Sequence, residues 1–229
     1  MAPRTFRFPM APLEHPEHPE LARLRRDRLV AVIRAASNDD AYEAARAVDR
    51  GGIRFIEVTY SVPDAPGVLR RLAGDRLDAV LGAGTVLTAA QAEAAINAGA
   101  RFLIAPNLSL EVAAVAKAHG VLFCPGAYTT SEILAAHQAG AQVVKIYPVG
   151  VAGGPAYIRV IRDPLPGIPM LAAGGTNLDN IVAFFEAGAI ACGLGASLAD
   201  PALAATGDFE AIESRASAFV ARAAQQAAA

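Results

Sequence analysis

Residues 95–126 read AINAGARFLIAPNLSLEVAAVAKAHGVLFCPG, and this stretch shows the pattern that decides the fold. One segment ends in the small-residue turn Ala98-Gly99-Ala100 and leads into the apolar run FLIAP, and the next ends at Gly120 and leads into VLFCP. Glycine in such a turn adopts the left-handed conformation that ends a helix. A short apolar run without polar alternation is typical of a buried parallel strand. The stretch therefore predicts two consecutive helix–strand units.

The same pattern recurs along most of the chain. Eight apolar runs are strand candidates: LVAVIR (29–34), FIEVTY (55–60), DAVLGAG (78–84), FLIAP (102–106), VLFCP (121–125), VVKIYP (143–148), PMLAAGG (169–175) and IACGLG (190–195). Helical segments separate them, so the sequence predicts an α/β protein with a (β/α)8 TIM barrel. An open doubly wound sheet is the alternative, but eight strands favour closure because open sheets of that width are uncommon. In such a barrel, chemistry takes place at the C-terminal ends of the strands.

The first residues differ in composition from the rest of the chain. We predict a Pro-rich N-terminal extension and leading helix over residues 1–27, and a single barrel domain over residues 28–229. The extension contains two His-Pro-Glu units, at His15 and His18. Because no cysteine or carboxylate cluster completes a site around them, we expect a solvated arm and no metal.

The composition excludes several classes of protein. With 54% apolar and 18% charged residues, the chain is too apolar to be disordered. The net charge of −2 argues against a nucleic-acid or membrane-surface partner, and no run approaches the roughly 18 apolar residues of a membrane span. The two cysteines, Cys124 and Cys192, cannot build a disulfide framework, so we expect a cytoplasmic protein. We expect both cysteines to be small buried strand residues. Among the 20 basic residues only Lys117 and Lys145 are lysines.

Charged residues interrupt or close three of the predicted strands. Alternation along VVKIYP turns Lys145 into the barrel if Val144 and Ile146 face the helices. The same reasoning turns Glu57 inward, and Arg34 closes the first run. Desolvation would lower the pKa of an inward lysine and leave a neutral amine that attacks carbonyl groups. The alternative is a lysine that reaches water or forms a structural ion pair with Glu57, but three such charges together favour a catalytic set.

Glycine-rich loops follow several predicted strands. Residues 173–177 (AGGTN) lead into a helix for which Asn177 is the predicted N-cap, and residues 193–197 (GLGAS) close the eighth run. Loops after the seventh and eighth strands of such barrels commonly bind phosphate through free backbone N–H groups. We therefore predict a phosphate site there. After the third strand, residues 82–85 (GAGT) offer a close backbone approach and a hydroxyl group.

These motifs resemble those of the 2-keto-3-deoxy-6-phosphogluconate (KDPG) and 4-hydroxy-2-oxoglutarate (KHG) aldolases. The resemblance extends from about residue 28 to residue 223, with the motifs in the family's order and spacing. It is carried by IEVTYSVPDA (56–65), GAGTV (82–86), APN (105–107), CPG (124–126), VVKIYP (143–148) and GGTNLDN (174–180). The resemblance implies a (β/α)8 barrel, typically a homotrimer, that acts on a small 2-keto acid. It further implies class I aldol cleavage through a covalent imine, without a metal or cofactor.

The resemblance also implies roles for individual residues. Lys145 would form the Schiff base, Glu57 would act as general acid and base, and Arg34 would meet the substrate carboxylate and Glu57. The other substrate-binding residues it implies are Thr85 and Pro106 in the pyruvate pocket, Tyr147 as an aromatic wall, and Gly174, Gly175, Gly195 and Ser197 around the distal phosphate.

Two places depart from the family pattern. Ala172 and Ala173 stand where many phosphogluconate-type members have Pro-Thr, whose hydroxyl contacts the phosphate, and this pattern is more like that of phosphogalactonate aldolases. Residues 60–62 (YSV) lack an arginine that some members carry. We expect cleavage of a phosphogluconate-type sugar acid to pyruvate and glyceraldehyde 3-phosphate, with KHG as a further substrate that gives pyruvate and glyoxylate. The alternatives are a phosphogalactonate aldolase and a non-aldolase barrel that binds phosphate.

Overall fold

The apolar runs form parallel strands that alternate with helices, as the sequence predicts. The computed structural model describes residues 17–227. The strands are β1 (Leu29–Ile33), β2 (Phe55–Thr59), β3 (Val80–Gly84), β4 (Phe102–Ile104), β5 (Leu122–Cys124), β6 (Gly126–Ala127), β7 (Val144–Ile146), β8 (Met170–Ala173) and β9 (Ala191–Leu194). The helices are α1 (Pro19–Asp27), α2 (Asn38–Arg50), α3 (Ala65–Gly74), α4 (Ala89–Asn97), α5 (Leu110–His119), α6 (Thr130–Gln138), α7 (Pro155–Arg162), α8 (Ile181–Glu186), α9 (Pro201–Ala205) and α10 (Phe209–Ala227).

The sheet has nine strands in the described residues, one more than predicted, because the fifth run is divided at Pro125. The strand order is β5-β4-β3-β2-β1-β9-β8-β7-β6, and every pair is parallel. Proline has no N–H to donate to the sheet, so it separates β5, which pairs with β4, from β6, which pairs with β7. The continuous segment 122–127 therefore joins both edges, and the predicted barrel is confirmed.

Alternate residues along each strand face either the helices or the barrel interior. Val144 and Ile146 pack in the apolar cluster shared with the helices, as do Ile56 and Val58. The residues between them point inward, as the alternation predicts. The interior holds a smaller apolar cluster, whose members are Leu21, Leu24, Val30, Phe55, Val80, Phe102, Ile104, Leu122, Cys124, Val143, Leu171, Ala173 and Ala191.

Helix α1 covers the N-terminal end of the barrel. Leu21 and Leu24 pack into the interior cluster, and the buried carboxylate of Glu20 lies 2.5 Å from Nη2 of Arg101, just before β4. The imidazole of His18 caps the helix by accepting the N–H of Glu20. The cavities of the barrel that remain for a ligand therefore lie toward the C-terminal ends of the strands.

The predicted Pro-rich extension lies mostly outside the described residues, because residues 1–16, including His15, are not described. The predicted domain boundary at residue 28 stays a prediction. None of the described helices is both long enough and apolar enough to cross a membrane.

Candidate active site

The carboxyl ends of β1, β7, β8 and β9 surround a cavity of about 380 Å³, which we call the mouth. The predicted site residues that line the mouth are Arg34, Lys145, Tyr147, Gly174, Gly175, Gly195 and Ser197. Glu57, Thr85 and Pro106 do not line it. A second cavity of about 240 Å³ lies on the outer side of β5 between α5 and α6, and none of the described residues around it belongs to the predicted site.

Lys145 lies in the middle of β7, and only 7% of it is exposed. Its backbone N–H donates to the carbonyl oxygen of Pro125 at 2.9 Å, which fixes β7 against the segment that closes the barrel. Its Nζ lies 4.9 Å from the centre of the Tyr147 ring, within the range of a cation–π contact. Within residues 17–227, no carboxylate forms an ion pair with this amine. The direct Glu57–Lys145 pair considered as an alternative is therefore not formed.

Glu57 lies on the inward face of β2 and is 1% exposed. Its Oε2 has no hydrogen-bond partner among the described residues. Burial raises the pKa of this carboxyl group, and the positive charges of Lys145 and Arg34 oppose that rise. A raised pKa brings a carboxyl group closer to the pH at which it both accepts and returns a proton.

The carboxyl group of Glu57 packs against Gly84 of the neighbouring strand β3. A Cβ atom at Gly84 would lie 2.7 Å from Cδ of Glu57, so a larger residue there would displace the carboxyl group. Thr85 follows with a φ of 58°, a left-handed conformation that is uncommon for residues other than glycine. Pro106 lies two residues after β4 and beside Gly126, where a Cβ would lie 2.2 Å from the Pro106 carbonyl group. Of these close approaches, the one at Gly84 directly limits the space around the Glu57 carboxyl group.

Arg34 follows β1 and is exposed at the mouth. Its Nη1 donates to Oγ of Ser61 at 3.1 Å. Oγ of Ser61 lies 2.6 Å from Oγ1 of Thr59, which also donates to the carbonyl oxygen of Ile33 at 2.9 Å. Sequence reasoning missed Ser61 as a member of the site. The alternation of β2 puts Thr59 on the same face as Glu57, but the position of Ser61 beyond the strand end does not follow from it.

The loops after β7 and β8 approach each other closely through glycine residues. Gly174 and Gly175 have φ values of 77° and 111°, which other residues rarely adopt. A Cβ at Gly174 would lie 2.9 Å from the Tyr147 ring, and one at Gly175 would lie 2.6 Å from Cα of Gly150. The N–H of Gly150 donates to the carbonyl oxygen of Gly174 at 2.7 Å. Backbone atoms of the β8 loop therefore form part of the wall of the mouth.

Side-chain hydroxyls join the loop after β8 to the loop after β9. Oγ1 of Thr176 donates to the carbonyl oxygen of Gly193 at 2.5 Å, and Oγ of Ser197 donates to that of Thr176 at 2.9 Å. Among the described residues, the backbone N–H groups of Ala196 and Ser197 have no hydrogen-bond acceptor. Free N–H groups of consecutive residues suit an anion. The Ser197 hydroxyl can donate to such an anion only if it gives up its bond to Thr176.

The prediction that Asn177 is the N-cap of a helix is wrong. Helix α8 begins only at Ile181, because Oδ1 of Asn177 accepts the N–H groups of Asp179 and Asn180 and closes a turn before it. Nδ2 of Asn180 in turn donates to the carbonyl oxygen of Gly175 at 2.8 Å. The residue that directly precedes α8 is thus Asn180, three residues later than the predicted N-cap.

Cys124 and Cys192 are both buried and unpaired, which confirms their prediction as buried strand residues. Burial raises the pKa of each thiol, so both stay neutral. Among residues 17–227, no group of three or more His, Cys, Asp or Glu side chains is arranged to hold a metal ion.

Comparisons with known proteins point to one family. A family model described as KDPG and KHG aldolase matches residues 21–215. The 2-dehydro-3-deoxy-phosphogluconate aldolase of Treponema pallidum (strain Nichols) is 35% identical over 187 residues, which cover 81% of this chain and 89% of the relative. The 2-dehydro-3-deoxy-6-phosphogalactonate aldolase of Escherichia coli (strain K12) is 34% identical over 175 residues, which cover 74% and 83%.

A solved structure is similar over nearly the same range. It is the KDPG aldolase from Legionella pneumophila with pyruvate captured at low pH as a covalent carbinolamine intermediate. It superposes with a TM-score of 0.76 at 27% identity and covers 84% of this chain and 93% of its own. With the family model matching almost all of the described residues, the chain belongs to the KDPG and KHG aldolase family.

Proposed function

We propose that this chain is a class I aldolase that cleaves a 2-keto-3-deoxy-6-phospho sugar acid of the phosphogluconate type to pyruvate and glyceraldehyde 3-phosphate. One observation carries the proposal: Lys145, which has no direct counter-ion among residues 17–227, is buried on the inward face of β7 and lines the mouth. Phosphogluconate aldolases are among the relatives, and the Legionella aldolase holds pyruvate as a carbinolamine. A lysine amine in such a place attacks a ketone when it is neutral.

The reaction begins when the neutral amine of Lys145 adds to the C2 carbonyl of the substrate. Loss of water from the carbinolamine gives a protonated imine, which accepts the electron pair of the C3–C4 bond as that bond breaks. Glu57, directly or through a water molecule, removes the proton of the C4 hydroxyl, and the aldehyde leaves. Glu57 then returns a proton to C3 of the enamine, and water hydrolyses the imine to release pyruvate. Since the electron sink is the imine on Lys145, we propose that no metal or cofactor is needed.

The remaining site residues are proposed to hold the two anionic ends of the substrate. Arg34 stands at the mouth with its guanidinium group accessible to a carboxylate. Thr85, Pro106 and Tyr147 surround the pyruvate part in this proposal. The loops that contain Gly174, Gly175, Gly195 and Ser197 receive the distal phosphate, and the free N–H groups of the β9 loop support this assignment.

Ala173 favours a second candidate substrate, the phosphogalactonate-type sugar acid. This residue is 3% exposed and presents a methyl group where many phosphogluconate-type members have a hydroxyl. The 34% identity to the phosphogalactonate aldolase of Escherichia coli is nearly as high as that to the phosphogluconate aldolase of Treponema pallidum. KHG, which has no phosphate, is the third substrate to compare.

The assembly and location of the protein are also proposals. We infer a homotrimer, which is supported by Val151 and Val160, two apolar side chains of the β7–α7 segment that are 78% and 69% exposed. The two unpaired cysteines support a cytoplasmic location, because reducing compartments keep thiols free.

Trapping with borohydride tests the imine. We expect that reduction in the presence of pyruvate attaches a pyruvyl group to the peptide containing Lys145, as detected by mass spectrometry. Lys145→Ala and Lys145→Arg should give no adduct and no cleavage, because a guanidinium group stays protonated and forms no imine. Lys117→Arg, which changes the other lysine, on the exposed side of α5, is the matched control and should label fully. Full labelling of Lys145→Ala would disprove the mechanism.

Substitution of Glu57 separates imine formation from bond cleavage. Glu57→Gln should still trap pyruvate on Lys145 but should cleave substrate about 10²–10⁴-fold more slowly, because the amide accepts no proton. The rate of the unsubstituted protein should rise with pH as Glu57 ionises. The pH at which the rate rises should be higher than the usual pKa of a carboxyl group, because burial raises the pKa of Glu57. Glu111→Gln, on the exposed surface of α5, is the control and should turn over normally. Unchanged turnover in Glu57→Gln would remove Glu57 from the mechanism.

Pyruvate release from three substrates, measured side by side with a coupled lactate dehydrogenase assay, tests the substrate assignment. We expect the highest kcat/KM with the phosphogluconate-type compound and lower values with its galactonate epimer and with KHG. A higher value for the galactonate epimer would favour the second candidate. Equal values for phosphorylated and unphosphorylated substrates would show that the glycine loops do not contribute to binding.

Sedimentation equilibrium tests the trimer. A chain of 23.6 kDa should sediment with three times that mass over micromolar concentrations. Sedimentation at the mass of one chain would contradict the trimer and leave the catalytic proposal untouched.

A further inference from the structure

Two hydrogen bonds connect Arg34 to β2, the strand that carries Glu57, and a third connects β2 back to β1. Nη1 of Arg34 lies 3.1 Å from Oγ of Ser61, and that oxygen lies 2.6 Å from Oγ1 of Thr59. Oγ1 of Thr59 lies 2.9 Å from the carbonyl oxygen of Ile33, the residue before Arg34. The bonds therefore form a closed path that starts and ends on the last residues of the β1 segment.

The direction of each hydrogen bond in this path is fixed by chemistry. A carbonyl oxygen only accepts, so Thr59 must use its single hydroxyl proton on Ile33. Thr59 then has only lone pairs left for Ser61, so Ser61 must donate to it. The lone pairs of the Ser61 oxygen remain free to accept a hydrogen bond. Since a guanidinium group only donates, Nη1 of Arg34 donates to this oxygen. All three donors are satisfied by this one arrangement.

The hydrogen-bonded path holds the Arg34 side chain in one position. Arg34 is exposed and forms no ion pair with another described residue. A free arginine in water samples many rotamers, and a ligand that needs one of them must compensate that loss of entropy. Thr59, by contrast, is completely buried and held by the strand. It transmits the rigidity of β2 through Ser61 to the guanidinium group.

We propose that Ser61, supported by Thr59, is a positioning residue that holds the Arg34 guanidinium group over the mouth for the carboxylate of the 2-keto acid. This inference rests on the proposed function of the site. It also assigns Ser61 a second effect, since a fixed Arg34 keeps its positive charge at a constant distance from Glu57.

That second effect gives a measurable pH dependence. The groups that face Glu57 are Arg34 from the β1 segment, Lys145 from β7 and the neutral thiol of Cys124 from β5. The charges of Lys145 and Arg34 lower the pKa of Glu57, against the larger effect of burial. If Ser61 no longer holds Arg34, that charge spends time farther away and the pKa of Glu57 rises. The acidic limb of the pH–rate profile should therefore move to higher pH.

The central experiment compares Ser61→Ala with the unsubstituted protein. Loss of a hydrogen bond to a charged group, worth about 1.5 kcal/mol, should raise KM for the sugar acid about tenfold and leave kcat within about threefold. The acidic limb should shift upward in the same variant. Ser61→Thr retains the hydroxyl group and should restore both quantities. Ser131→Ala, at an exposed position of α6, is the matched control and should change neither.

A double-mutant cycle shows whether Ser61 acts through Arg34. Ser61→Ala should have no further effect on KM or on the pH profile when it is added to Arg34→Ala. An equal effect in both backgrounds would overturn the proposal, as would an unchanged KM and profile in Ser61→Ala. Because Ser61 is exposed, its truncation should leave the unfolding midpoint in urea unchanged.

A chemical readout keeps this inference separate from the proposed function. Phenylglyoxal modifies free guanidinium groups, and the peptide containing Arg34 reports its rate by mass spectrometry. Arg34 should react several-fold faster in Ser61→Ala and in Thr59→Val than in the unsubstituted protein, Thr59→Ser or Ser131→Ala. Equal rates would overturn the inference even if the aldolase is active. Faster labelling together with failure to trap pyruvate would retain the positioning of Arg34 and reject the aldolase.

Discussion

The barrel encloses two ionisable side chains, Glu57 and Lys145, in an apolar interior, and the rest of the site depends on how their charges are compensated. Taking a charge out of water costs free energy unless other charges or hydrogen bonds compensate. Glu57 is compensated only at a distance, by Lys145 and Arg34, and one of its oxygens has no hydrogen-bond partner among the described residues. A direct ion pair would stabilise the fold more, but it would occupy the amine nitrogen and the carboxylate oxygen. The spaced arrangement leaves both atoms free for the roles proposed for them.

This spacing depends on where the backbone can come close. Gly84 leaves the volume that the Glu57 carboxyl group fills, and Gly126 lets the closing segment pass Pro106. Pro125 divides that segment, yet its carbonyl oxygen still accepts the N–H of Lys145. The lysine that we propose as the imine-forming residue is thereby fixed by the same hydrogen bond that helps to close the barrel. Closure of the barrel and the position of Lys145 therefore depend on the same short stretch of chain.

Periodicity in the sequence was enough to predict the barrel and the inward faces of its strands. The inward direction of Lys145 and Glu57 followed from alternation alone, because a period of two residues decides which face a side chain occupies. The division at Pro125 did not follow, since an apolar run does not show which neighbour each half pairs with. The cap at Asn177 was misplaced because a turn and a first helical turn use the same residue types. Ser61 was missed because its contact with Arg34 depends on side-chain rotamers and on how the residues that follow β1 and β2 meet.

The ionisable groups of the site differ in how deeply they are buried. The two groups that exchange protons in the proposed mechanism, Lys145 and Glu57, are buried, and burial raises the pKa of Glu57. Arg34, which stays charged at any physiological pH, remains in contact with water and is only oriented by hydroxyl groups. An arginine in place of Lys145 would carry a charge that the interior could not neutralise. A lysine in place of Arg34 would lose the planar fork that suits a carboxylate. In the proposed mechanism, the depth of each position in the barrel therefore decides whether lysine or arginine suits it. The net charge of the chain is only −2, so the proposed binding of anions depends on this local arrangement.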